Sequence, residues 1–155
     1  VALMMQLVDK QSQAVGLVML TLGVDLQLGA RLVGEVKEEW QGEPVGLVDG
    51  LEIPPLLKIR LLGRTKSEAI IRILLEFLIE ENCDISYRAA EVLRIIKSEH
   101  LIYRLFKLIY SEDLNISHMA VFILEKITKN QTINSFIQLV KHENIELHCI
   151  IAFVL

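Results

Sequence analysis

The sequence predicts an all-α chain, a solenoid of stacked helix pairs entered through a more irregular helical region. Three observations predict it. The 92 residues from Arg64 to Leu155 contain neither glycine nor proline, so they lack the turn punctuation of an all-β fold. Their apolar spacing is helical: Ile70, Leu74, Phe77 and Leu78 fall at i, i+4, i+7 and i+8, and Leu101, Leu105, Leu108 and Ile109 repeat the pattern 31 positions later. The third observation is the echo itself. Ile71, Leu74, Leu75 and Leu78 map onto Ile102, Leu105, Phe106 and Ile109, then onto Ile133, Phe136, Ile137 and Val140.

The first part, residues 1–63, holds all eight glycines and all three prolines. It reads as an irregular helical lead-in that covers and caps the first helix pair. Asp25 is placed to cap a helix through Leu28, Leu32, Val36 and Trp40, with Gly42 and Pro44 ending it. Another segment starts near Pro44. Pro54-Pro55 then stands just ahead of Leu56-Leu57-Lys58-Ile59-Arg60-Leu61-Leu62, which suits proline at a helix N-terminus.

Residues 64–155 divide into three helix pairs at about 67–97, 98–129 and 130–155. Ser67 and Ser98 are candidate caps for the first helices of the first two pairs. In the second helices Ile85, Ser86, Ala89, Leu93 and Ile96 map onto Ile116, Ser117, Ala120, Leu124 and Ile127. The third copy is two residues shorter across its break, and Cys149 and Phe153 take the places of Ala120 and Leu124. A pair of this length cannot bury its apolar face alone and must stack on its neighbours.

Composition narrows the function classes. With 52% apolar and 23% charged residues the chain is not a disordered one, and two cysteines do not make a disulfide scaffold. A net charge of −4 with 16 basic residues lacks the basic stripe of a duplex nucleic-acid binder. The apolar window from Gln13 to Val33 contains Asp25 and Arg31, charges that are costly at a bilayer centre, so a buried helix is expected there and no membrane span. Asp9 and Lys10 do not form the basic start of a signal peptide, and a cytoplasmic location is expected. The apolar ends, Val1-Ala2-Leu3 and Ile150–Leu155, suggest an internal piece of a longer chain, and predict self-association of the piece alone.

The helix pairs resemble HEAT repeats, most closely in Asn82–Ile96, with its isoleucine, paired alanines Ala89-Ala90 and leucine. That resemblance implies a right-handed α-solenoid whose second helices line the concave face. Asp25–Lys37 together with Leu61–Glu68 resembles the stretch leading into the HEAT repeats of bacterial STAND ATPases, large NACHT-type proteins, many of them cyanobacterial. Their repeats are thought to sense a partner or to hold the NTPase inactive. The implied function is a non-catalytic interaction segment that meets a protein partner or another domain of its own chain. The rivals are a HEAT-like lyase that attaches bilins to phycobiliproteins, and a free-standing scaffold. The repeats diverge from the family: Ser86, Ser117 and Glu146 stand where an arginine ladder is usual, and Arg72-Ile73 replaces Pro-Gly.

Candidate chemistry is sparse, with no catalytic, cofactor or metal residue assigned. Gly63-Arg64-Thr65-Lys66-Ser67 faintly resembles a phosphate-binding loop, but no glycine lies four residues upstream of a Gly-Lys pair, and a turn with an N-cap is the better reading. His142, His148 and Cys149, with Cys83 and His118, show no Cys-x-x-Cys or His-x-x-x-His spacing for zinc. Glu38-Glu39 and Glu80-Glu81 read as solvated faces, and nothing marks Asn115-Ile116-Ser117 or Asn130-Gln131-Thr132 as secreted sequons. The outward side of the second helices is the candidate partner surface. Tyr87, Arg88 and Glu91 become His118, Met119 and Phe122, then Leu147, His148 and Ile151. Packing of Phe122 and Ile151 against a following repeat is the competing explanation.

Overall fold

The computed structural model describes Met5 and residues 8–80, 82–96 and 98–128, which hold eight α-helices, two short 3₁₀ turns and no strand. The third pair at 130–155, with Leu147, His148, Ile151, His142 and Cys149, lies outside the described residues. The chain divides into two units, Val1–Ser98 and Glu99–Leu155.

In the first unit, α1 (Gln11–Val24) and α2 (Leu26–Val33) share a single boundary residue. The Asp25 N–H donates to the Thr21 carbonyl oxygen at 2.8 Å, closing α1. Its carboxylate accepts from the N–H groups of Gln27 at 2.8 Å and Leu28 at 3.0 Å, opening α2. One side chain therefore interrupts the apolar window from Gln13 to Val33, which falls within two helices of 14 and 8 residues. Among the described residues no helix is long and apolar enough to cross a membrane.

The Asp25 cap lies where the sequence puts it, but the helix it starts is shorter than expected. It stops at Val33, and Trp40 belongs to a separate 3₁₀ turn, Glu38–Trp40. The N–H groups of Gly34, Glu35 and Val36 each bond three residues back, to Arg31, Leu32 and Val33, which tightens and ends the helix. A tertiary contact coincides with that stop, since the backbone of Gly34 abuts the carbonyl of Thr65 at the end of α4. Val36 is buried all the same, and Lys37 lies 4.4 Å over the Trp40 ring. Gly42 and Pro44 do not end a helix. They open one, α3 (Gly42–Asp49), with Pro44 in its first turn, where an N–H has no intrahelical partner.

α4 (Pro55–Thr65) begins on Pro55 at its first position, as the diproline implies. It runs through the Gly63-Arg64 junction and ends at Lys66, which is left-handed with φ 55°. Lys58 of α4 donates to the Asp49 carbonyl oxygen at the end of α3, and its ammonium is 3.9 Å from that residue's carboxylate. Ser67 accepts from the Ala69 N–H at 3.2 Å and so starts the 3₁₀ turn Glu68–Ile70, which leads into α5 (Ile71–Phe77). α6 (Cys83–Leu93) is capped by Asn82, whose side-chain oxygen accepts from the Asp84 N–H at 2.9 Å.

The packing of this unit follows a simple rule. Neighbours pair as α1 with α2, α3 with α4, and α5 with α6. The even-numbered helices then stack, α2 on α4 and α4 on α6, while α1 packs on α3. Val18, Val33, Val45, Ile59, Leu61, Leu62, Leu74 and Leu93 are fully buried among these layers.

The second unit shows one described pair, α7 (Glu99–Ile109) against α8 (Leu114–Thr128). Leu101, Ile102, Leu105 and Phe106 are buried on α7, and Ala120, Ile123, Leu124 and Ile127 on α8. Both sets follow the helical period. The Ser117 hydroxyl donates to the Ile109 carbonyl oxygen at 2.8 Å, satisfying an acceptor at the end of α7. α8 begins 31 positions after α6.

Candidate functional site

The stacking of α4 on α6 leaves an open groove of about 320 Å³ in the first unit. Leu56, Ile59 and Arg60 of α4 form one wall; Arg88, Glu91 and Val92 of α6, with Arg94 and Ile95 just beyond its end, form the other. The two helices approach closely because Gly63 of α4 faces Val92 of α6. A Cβ at Gly63 would lie 3.0 Å from Val92 Cγ1 and 3.2 Å from Cγ2, tighter than ordinary packing distances.

The wall on α6 carries a short charge network. Glu91 binds Arg88 at 3.1 Å and reaches Arg94 at 4.0 Å, three residues away on either side. Such i, i+3 neighbours share a helix face. Arg60 on the opposite wall is exposed and, among the described residues, makes no ion pair or side-chain hydrogen bond. Three guanidinium groups and one carboxylate thus line the groove, with Arg60 alone on the wall opposite Glu91. The apolar part is uneven: Ile59 is buried, whereas Leu56 is 46% exposed and Ile95 is 72% exposed. These lining residues include no hydroxyl, thiol or imidazole, so the groove offers charge and apolar surface.

Of the residues singled out from sequence, Arg88 and Glu91 stand in this wall. Tyr87 is exposed on the same helix but does not line the groove. His118 is exposed on α8, with Met119 and Phe122 partly covered, in the second unit. Sequence reasoning misses Leu56, Ile59, Arg60, Val92, Arg94 and Ile95. For Val92 and Ile95 the signal available is their i+4 and i+7 spacing from Arg88, running along α6 and just past its end, which mixes arginine and aliphatic residues on one stripe.

The segment with a faint likeness to a phosphate loop is helix and turn. Gly63, Arg64 and Thr65 belong to α4, and the Thr65 hydroxyl is buried, donating to the Leu62 carbonyl oxygen at 2.7 Å. Among the described residues no group of three or more His, Cys, Asp or Glu side chains is placed to hold a metal ion, and Cys83 is exposed with its thiol free. Comparisons with protein-family models, with curated proteins and with solved structures give no match for this chain.

Proposed function

We propose that this chain is a HEAT-like α-solenoid segment that binds a protein partner on the face of its even-numbered helices, and that it serves as a sensing or regulatory part of a larger STAND-type NTPase. The observation that supports the reading is the packing rule of the first unit, in which each helix pairs with its neighbour and every second helix stacks on the next. Repeated pairs built this way extend a surface rather than close one around a buried pocket. The groove between α4 and α6 belongs to that stacked face. The link to a STAND-type parent rests on the resemblance in Asp25–Lys37 and Leu61–Glu68.

A ligand that prefers one curvature of such a surface shifts the population toward it by its difference in affinity for the two states. The purified chain is to be assayed for ATP and GTP hydrolysis and for uptake of a linear tetrapyrrole. In parallel, a photo-cross-linking residue is placed at Ile95 in the source cells. The reading expects no turnover, no tetrapyrrole bound and an adduct of protein size. Nucleotide turnover or tetrapyrrole uptake overturns it, as does a cross-linker at Ile95 that captures no protein.

A further inference from the structure

We infer that the α4–α6 groove takes an acidic amphipathic segment of a protein partner, with aliphatic side chains set against Leu56 and Ile95 and carboxylates set against Arg60, Arg88 and Arg94. The inference rests on the protein-binding reading above and names the chemistry of the partner.

Charge complementarity carries it. The chain as a whole is acidic, with 20 acidic against 16 basic residues, yet the groove gathers three arginines and a single glutamate. Glu91 is shared between Arg88 and Arg94, and Arg60 has no carboxylate within reach among the described residues. Guanidinium groups hold carboxylates through paired donors and are weakly hydrated, which suits them to a partly covered rim.

The apolar component decides which anion fits. Leu56 is nearly half exposed and Ile95 largely so, and a bare phosphate or carboxylate covers neither. A segment with aliphatic residues on one stripe and acidic residues beside it covers both. The α6 wall runs from Arg88 to Ile95, the last turn of the helix and the turn that follows it, a length on the order of the roughly 10 Å of two turns of a docked helix. Single-stranded nucleic acid is held by stacking on aromatic faces together with positive charge, and no aromatic side chain lines this groove.

The test is a fluorescence-anisotropy titration of the purified chain. The probe is a labelled peptide of about four helical turns, with leucine at i, i+3, i+4 and i+7 and glutamate elsewhere. Comparison probes are the same peptide with glutamine for glutamate and a labelled oligouridylate. The inference expects the acidic peptide to bind and to weaken as salt rises, because screening acts on exposed charges. It expects Arg60→Glu and Ile95→Asp each to weaken binding by about tenfold, while Arg72→Glu, an exposed position on α5 outside the groove, leaves it unchanged. All three positions are exposed, and circular dichroism verifies that each variant is folded.

The inference is overturned by equal binding of the glutamine peptide, by tighter binding of the oligouridylate, or by a self-associated form of the chain that Arg60→Glu dissolves. Failure of the acidic peptide while Ile95 still cross-links to a protein in cells removes this inference and leaves the protein-binding reading standing.

Discussion

A side-chain carbon on Gly34 would overlap the carbonyl oxygen of Thr65, well inside van der Waals contact. The end of α2 and the end of α4 therefore meet backbone to backbone, and the stacking of α2 on α4 depends on the absence of a side chain at one residue. The contact is with main chain, so no rotamer change relieves it. Gly34→Ala is expected to destabilise the first unit by about 2–3 kcal/mol, the scale of an overpacked interior. Thermal denaturation followed by circular dichroism would show a fall in Tm of roughly ten degrees. Gly16→Ala is the control, since nothing lies within 4 Å of its Cβ position in α1, and it should instead add about 0.5–1 kcal/mol through helix propensity. A Gly34→Ala protein as stable as the parent would mean that α2 and α4 do not meet this way.

Lys66 is the one non-glycine residue with positive φ among the described residues. Its left-handed backbone lets α4 end while the Ser67 N–H donates to the buried Thr65 hydroxyl oxygen at 3.2 Å. A non-glycine residue in that conformation carries about 1 kcal/mol of strain. Glycine relieves it but gains freedom in the unfolded chain. Lys66→Gly should consequently raise stability by less than about 1 kcal/mol, and Lys66→Val should lower it by at least that much, because a β-branched residue is rarely left-handed. Urea denaturation midpoints of the two variants test the ordering, and a Lys66→Val protein more stable than Lys66→Gly would contradict it.

These two positions also show where sequence reasoning succeeds and where it stops. Asp25, Pro55, Ser67 and the helical stripes act within a few residues of themselves, so local spacing is enough to place them. The stop of α2 at Val33 coincides with a contact on Thr65, 31 residues after Gly34, and nothing local to Glu35-Val36-Lys37 announces it. The same holds for the groove. Arg88 and Glu91 are visible as the outward side of a second helix. Arg60 and Leu56 belong to a helix that the 31-residue echo does not reach, and only the packing of α4 on α6 brings them opposite. The nine-residue partner surface drawn from repeat positions is spread over two units and the residues beyond 128, whereas the groove is formed within one.

The approach of α4 to α6 has its own signature in energy. Gly63 and Val92 are coupled through a distance at which an added methyl group is crowded and Val92 must give by a few tenths of an ångström. Gly63→Ala is expected to cost about 1–2 kcal/mol by overpacking, and Val92→Ala about 1–2 kcal/mol by lost burial. Because each change relieves the other, the double variant should be less destabilised than the two effects added, by about 0.5 kcal/mol or more. A double-mutant cycle in urea measures this directly. Strict additivity would place the two side chains out of contact.

Glu91 separates the stability of the groove from its capacity to bind. Its ion pairs with Arg88 and Arg94 lie on an accessible helix face, the Arg88 side chain being 64% exposed. Exposed pairs of this kind contribute about 0.2–1 kcal/mol each, and salt weakens them further. Glu91→Gln should therefore shift Tm by no more than a few degrees, since the amide keeps the shape and accepts hydrogen bonds from the same donors. Binding should move the other way. The substitution removes the one negative charge that competes with an incoming anion and leaves two guanidinium charges unneutralised, so the acidic peptide should bind several-fold tighter, with a steeper loss of affinity as salt rises. Arg88→Gln is the counterpart: it leaves Tm nearly unchanged and weakens the peptide. Tighter binding at constant stability identifies Glu91 as a resident stand-in for the carboxylate of a partner. If Glu91→Gln weakens the peptide instead, the carboxylate acts by fixing the two arginines in place, and their geometry matters more than their free charge.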